Sequence, residues 1–161
     1  MLVVVCGLPG VGKTTVARMV ADRLRVEPLR TDVVRRELFP DPSYTDEERL
    51  AVYETLFDRA RARLDRGTDV VLDGTFADAA PRERTRELAA TAGTERRLVR
   101  VTCEEPVVRE RIAGRTGDES DADFEVYRFF ESTFDPITAA HATVDNSGGH
   151  DSLRRQVAAL F

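Results

Sequence analysis

Gly7-Leu8-Pro9-Gly10-Val11-Gly12-Lys13-Thr14, followed by Thr15, lies between two contrasting segments. Before it runs Leu2-Val3-Val4-Val5-Cys6, an unbroken apolar stretch bounded by glycine, which reads as a strand covered on both faces. After it Val16, Val20 and Leu24 recur every four positions, marking one face of a helix. The intervening residues match G-x-x-x-x-G-K-[ST]. The glycines let the backbone turn its N–H groups inward around phosphate oxygens, and the helix that follows adds its positive N-terminus. Lys13 would reach the β- and γ-phosphates and the Thr14 hydroxyl would ligate Mg²⁺, with Leu8, Pro9, Val11 and Thr15 completing the cradle. The stretch is expected to bind a Mg²⁺–nucleoside triphosphate.

Working outward, the chain has 161 residues, 24 Lys+Arg and 29 Asp+Glu, for a formal net charge of −5. Lys13 is the only lysine; every other basic residue is arginine. That length suits one domain spanning 1–161, and 42% apolar with 33% charged residues excludes a disordered chain. No apolar run approaches the roughly 20 residues needed to span a bilayer, and no basic stretch with a cleavage site opens the chain. The expectation is a cytoplasmic protein with no membrane partner. Cys6 and Cys103 lie far apart in strand-like segments, with no Cys-x-x-Cys or Cys/His cluster, and read as two buried thiols. The acidic balance argues against tight non-specific nucleic-acid binding.

Strands and helices alternate along the rest. Val26 to Thr31 reads as a short strand placed at an edge by Pro28. Asp46 to Arg66 reads as a long helix with Leu50, Tyr53, Phe57, Ala60 and Leu64 on one stripe, stopped by Gly67. Asp69–Asp73 is a third strand, Pro81–Ala92 a helix, Leu98–Cys103 a fourth strand and Pro106–Ala113 a short helix. Ser120 with Asp123 resembles a capping box for a helix whose Phe124, Tyr127 and Phe130 face the core. Ala142–Val144 and Asp151–Leu160 close the chain as strand and helix. Such alternation implies an α/β domain with a parallel sheet between helical layers.

Thr31-Asp32-Val33-Val34-Arg35 follows the second strand, where loops of a parallel sheet face the same crevice as the phosphate cradle. A carboxylate there can take the proton of an acceptor hydroxyl, with Arg35 one helical turn on; the other reading is a helix N-cap beside a solvated arginine. Asp73 ends the third strand next to the cradle's strand, where it either serves the site or caps the Gly74-Thr75 turn. The chain has no guanine-reading Asn-Lys-x-Asp and no apolar run ending in Asp-Glu, the mark of an ATPase that activates water. Arg59, Arg63 and Arg66 recur at helical spacing, either lining an acceptor groove or forming a solvated face paired with Glu54, Asp58 or Asp65. His141 and His150 have no metal or triad context.

In order, the phosphate cradle, Thr-Asp-Val-Val-Arg at 31–35, Val-Val-Leu-Asp-Gly-Thr-Phe at 70–76, Arg111-Ile-Ala-Gly-Arg115 and Ser120-Asp-Ala form a series. It resembles the small AAA-type P-loop kinase domains related to polynucleotide kinase, zeta toxin, chloramphenicol phosphotransferase and gluconate kinase, over residues 2 to about 146. The resemblance implies a three-layer P-loop kinase fold with a parallel five-stranded sheet of order 2-3-1-4-5, and a lid at about 111–123. It implies Asp32 as general base, Arg35 on an acceptor phosphate and Asp73 near Mg²⁺ and acceptor. Arg115 would meet the transferring phosphoryl, Arg111 would lie near adenine, and Asp145-Asn146-Ser147-Gly148 would hold the adenine edge.

The expected function is an ATP- and Mg²⁺-dependent kinase acting on a hydroxyl of a nucleotide, a polynucleotide 5′-end or a small molecule. Asp32, Lys13 and Arg115 would be its catalytic residues. Two alternatives stay open: a regulatory nucleotide-binding ATPase module, and a toxin-type amino-sugar kinase.

Overall fold

The computed structural model describes residues 1–114 and 124–161. Five parallel strands form one sheet of order β2-β3-β1-β4-β5: β1 (Leu2–Cys6), β2 (Leu29–Arg30), β3 (Val70–Asp73), β4 (Arg96–Thr102) and β5 (Ala142–Asp145). The order and the parallel sense are those the resemblance implied. Seven described helices connect them: α1 (Lys13–Leu24), α2 (Thr31–Leu38), α3 (Asp46–Leu64), α4 (Ala79–Thr91), α5 (Glu105–Ala113), α6 (Phe124–Thr133) and α7 (His150–Leu160).

The two-residue side-chain period of a strand divides the core into two layers. Leu2, Val4 and Cys6 of β1 point to one face and pack with Val52, Leu56 and Ala60 of α3, Leu88 of α4 and Val34 of α2. Val3 and Val5 point to the other, against Val16 and Val20 of α1, Val108 of α5, Tyr127 of α6 and Leu153 of α7. All five β1 residues have no exposed surface, as an unbroken apolar strand between helical layers requires. The parallel register aligns Val5 with Asp73, and Asp73 with Arg30, so the carboxyl ends of β1, β3 and β2 form one rim.

Several sequence expectations change in detail. The second strand is only Leu29–Arg30, because Thr31 already begins α2. The α3 stripe is Val52, Tyr53, Leu56, Ala60 and Leu64; Leu50 lies at its margin and is 61% exposed. Cys6 is buried as expected, whereas Cys103 lies just past β4 and is only half-buried. Tyr127 is core, while Phe124 and Phe130 are half-buried. Arg59 pairs with Glu37 of α2 and Arg63 donates to the Glu27 carbonyl, so these arginines fasten α3 to its neighbours rather than to acids of their own helix. Among the described residues no helix is long and apolar enough to cross a membrane.

Candidate functional site

The turn between β1 and α1 wraps closely around itself. Gly10 (φ 80°) and Gly12 (φ 91°) hold backbone conformations that L side chains rarely adopt. A Cβ on Gly10 would press within 2.9 Å of Val108 Cγ1 of α5, and one on Gly12 would collide with the Asn146 side-chain amide. The latter fixes the turn from behind, donating from Nδ2 to the Val11 carbonyl at 2.8 Å. Lys13 and Thr14 open α1, so their side chains start from the helix N-terminus, where free N–H groups and the helix dipole favour anions. Lys13 Nζ donates to the Leu8 carbonyl at 2.9 Å, arching back over the turn.

From Thr14 a chain of polar contacts crosses the rim. Its hydroxyl donates to Asp73 Oδ2 at 2.7 Å. Asp73 is 4% exposed, and burial pushes its carboxyl pKa up, opposed by Lys13, the Thr14 hydrogen bond and Arg30, and reinforced by Asp32. Arg30 Nε lies 3.7 Å from the same Oδ2, and Arg30 Nη2 donates to Asp32 Oδ2 at 2.6 Å. One guanidinium thus links the carboxylate beside the phosphate cradle to the carboxylate at the start of α2. Asp32 does not cap α2; the N-cap residue is Arg30. Nor does Asp73 serve as a simple turn cap: its carboxylate is engaged with Thr14.

Arg35 takes a different direction. Its Nη1 lies 3.7 Å from Glu48 Oε2 and its guanidinium stands over the Tyr44 ring at 5.1 Å. Glu48 is itself the third residue of a capping box: Thr45 accepts from the Glu48 N–H, and the Glu48 carboxylate accepts from Ser43 and Tyr44 N–H groups. Arg35 is therefore held against the α2–α3 connection and α3, and the contact that reaches Asp32 comes from Arg30.

Arg111, in the last turn of α5, donates from Nη2 to the Asn146 carbonyl at 2.9 Å, with Nη1 at 3.5 Å from Cys103 Sγ. Arg111, Asn146 and Cys103 thus gather behind the cradle. Arg115, most of the expected lid and the Ser120–Asp123 box lie outside the described residues.

Three contributors escaped the sequence reading. Arg30 ends a two-residue strand, and its only signal was a basic residue two positions before Asp32. Tyr53, read as core, also accepts the Phe76 N–H at 3.0 Å. Arg82, 5% exposed, donates to the carbonyls of Phe76, Ala77, Asp135 and Pro136. Tyr53 and Arg82 immobilise the β3–α4 loop, where Phe76 holds φ 47° and Thr75 accepts the N–H of Gly7 at the cradle's start.

Thr14 Oγ1 and Asp73 Oδ2 are hard oxygen donors of the kind Mg²⁺ uses with phosphate and water oxygens. No described group of three or more His, Cys, Asp or Glu side chains forms a denser metal cage.

The family model AAA_33, an AAA domain, matches residues 2–137. An uncharacterized protein of Mycobacterium tuberculosis is 34% identical over 137 residues, which cover 78% of this chain and 28% of that protein. The chain therefore spans well under half the length of this curated relative. A sugar kinase from Janibacter sp. shares the fold at TM-score 0.75 and 22% identity, over 99% of this chain and 93% of that one. The Mycobacterium tuberculosis APS kinase in complex with AMPPNP and APS shares it at TM-score 0.73 and 20% identity, over 99% and 95%.

Proposed function

The chain belongs to the AAA_33 family of AAA domains, and from that premise we propose an ATP- and Mg²⁺-dependent kinase that phosphorylates a hydroxyl group. The observation that carries this reading is the continuous contact Thr14–Asp73–Arg30–Asp32, which sets a carboxylate for an acceptor beside a cradle for a triphosphate. In a water-activating ATPase the second acid directly follows the first at the end of the strand, whereas here Asp73 is followed by Gly74 and the second carboxylate, Asp32, stands at the start of α2. Residues 1–161 would form the catalytic unit.

In this reaction the acceptor oxygen forms a bond to the γ-phosphorus, the bond to the β-bridging oxygen breaks, and ADP leaves with that electron pair. Asp32 accepts the hydroxyl proton on the carboxylate oxygen that Arg30 does not occupy. Lys13 turns from the Leu8 carbonyl toward the β- and γ-phosphate oxygens, neutralising charge as it shifts. Backbone N–H groups from Gly10 to Thr14 would bind phosphate oxygens, while the Gly7 N–H stays on the Thr75 carbonyl. Mg²⁺, when bound, screens the phosphates; Thr14 would hold it, with Asp73 behind. Arg115 would meet the transferring phosphoryl, Arg111 would flank the base, and Arg35 would face the acceptor after leaving Glu48.

Asp32→Asn should reduce acceptor-dependent ADP release at least a hundredfold while leaving the affinity for a non-hydrolysable ATP analogue nearly unchanged. Coupled ADP detection over a panel of nucleosides, oligonucleotides, sugars and sugar acids, together with calorimetric analogue binding, measures both. Turnover equal to wild type in that variant would remove Asp32 from the mechanism.

A further inference from the structure

We propose that Asn146 is a positioning residue for the triphosphate: by holding the Val11 carbonyl it aims the Gly12 N–H into the phosphate cradle. The inference rests on the reading that the cradle takes a triphosphate, and it is independent of what receives the phosphoryl group.

The Asn146 side chain reaches across 135 positions of sequence to donate from Nδ2 to the Val11 carbonyl at 2.8 Å, and the bond is buried. A carbonyl only accepts, so the amide atom facing it is the nitrogen. The peptide between Val11 and Gly12 is planar and trans, which sets its C=O and N–H in opposite directions. Fastening the carbonyl to Asn146 behind the turn therefore directs the Gly12 N–H toward the hollow in front. This arrangement needs a hold. Gly12 keeps φ at 91°, and a flip of this one peptide would carry it into the negative region that most backbones prefer. The flipped peptide would present a carbonyl oxygen where the N–H now points, replacing attraction for a phosphate by repulsion.

Asn146 can act as the hold because it is itself fixed. Its N–H donates to the Thr102 carbonyl at 2.8 Å, extending the pairing of β4 with β5, and its own carbonyl accepts from Arg111 Nη2 at 2.9 Å. The residue is 7% exposed. Gly12 completes the fit, since a Cβ there would collide with Nδ2. A short amide on one side and a bare Cα on the other thus form one device. Its place is behind the phosphates, in contrast to the adenine-edge contact that the resemblance implies for this loop.

The test uses the full chain. Val11–Gly12 is the only Val–Gly pair in the sequence, so protein carrying ¹³C at valine carbonyls and ¹⁵N at glycine gives a single HNCO peak. That peak reports the Val11 carbonyl and the Gly12 N–H together. Mg²⁺ with AMPPNP, or with inorganic tripolyphosphate as a probe lacking the base, is titrated into wild type and Asn146→Ala, with calorimetry alongside. In wild type both ligands should move the Gly12 proton downfield, as a new bond to a phosphate oxygen requires. In Asn146→Ala the Val11 carbon should lie upfield before ligand is added and the proton response should be lost. Both ligands should then bind about tenfold more weakly or worse. Asn146→Leu, which matches the size and cannot donate, should behave likewise and serves if the alanine variant does not fold. Gln156→Ala, which frees the Asp145 N–H and C=O from α7 without touching Val11, should respond like wild type. A Gly12 proton that AMPPNP moves and tripolyphosphate does not, unchanged affinities in a folded Asn146 variant, or an equal loss in Gln156→Ala would overturn the proposal. Wild type that binds neither ligand would remove the nucleotide reading together with it. Binding that depends on Asn146, without acceptor-dependent turnover, would sink only the kinase reading and keep this one.

Discussion

At the residue scale, the single lysine of the chain stands at its phosphate cradle, where a compact ammonium on a flexible stem can follow a moving phosphoryl group. Lys13→Arg preserves charge yet should lower acceptor-dependent turnover by two orders of magnitude or more, because the bulkier planar fork does not fit a turn this tight; single-turnover kinetics measures it. Asp73 makes a prediction of opposite sign for stability and function. Its raised carboxyl pKa means that, between the free value of 3.8 and the folded one, the native state binds more protons than the unfolded state. Stability is therefore lost as pH rises through that window. Asp73→Asn is spared this loss and should melt above wild type at pH 7 without ligand, with the gain vanishing below pH 3.8. The same variant should lose most of the additional stabilisation that Mg²⁺ confers with ATP. The placement of the cradle between β1 and α1, and of Asp32 just past β2, was legible because the motif and the strand–helix alternation fix those positions. Arg30 was not, because its role comes from sheet register, which sets it beside Asp73 across more than forty positions of sequence.

At the scale of elements, the loop between β3 and α4 is the support on which the cradle leans. Phe76 is fully buried at φ 47°, a conformation a bulky residue holds only when its surroundings enforce it. Tyr53 of α3 and Arg82 of α4 provide the enforcement, and Arg82 also ties down the segment after α6 through Asp135 and Pro136. Arg82→Met would strand four carbonyls and should cost about 3 kcal/mol, seen as roughly 10 °C in melting temperature. Tyr53→Phe leaves one buried N–H unpaired and should cost about 1–2 kcal/mol. The sequence marked both helices but not these duties, since a tyrosine in an apolar stripe and an arginine on a charged helix look ordinary. Leu50 shows the complementary error: spacing alone placed it on the α3 stripe, but the buried strip passes through Val52 and Leu56.

At the scale of the molecule, strand order was legible only through the resemblance, while the alternation of strand and helix and the fully apolar β1 already required a parallel sheet between two helical layers. That architecture places the carboxyl ends of β1, β3 and β2 on one rim, and everything argued about transfer depends on that placement. The most direct test follows the phosphorus atom. The protein is incubated with ATP, Mg²⁺ and the acceptor panel, and products are resolved by ³¹P NMR. Transfer predicts a phosphoester resonance that grows one for one with ADP and is missing in Asp32→Asn. Orthophosphate alone, formed at the same rate with and without acceptors, would contradict it and identify a hydrolase instead.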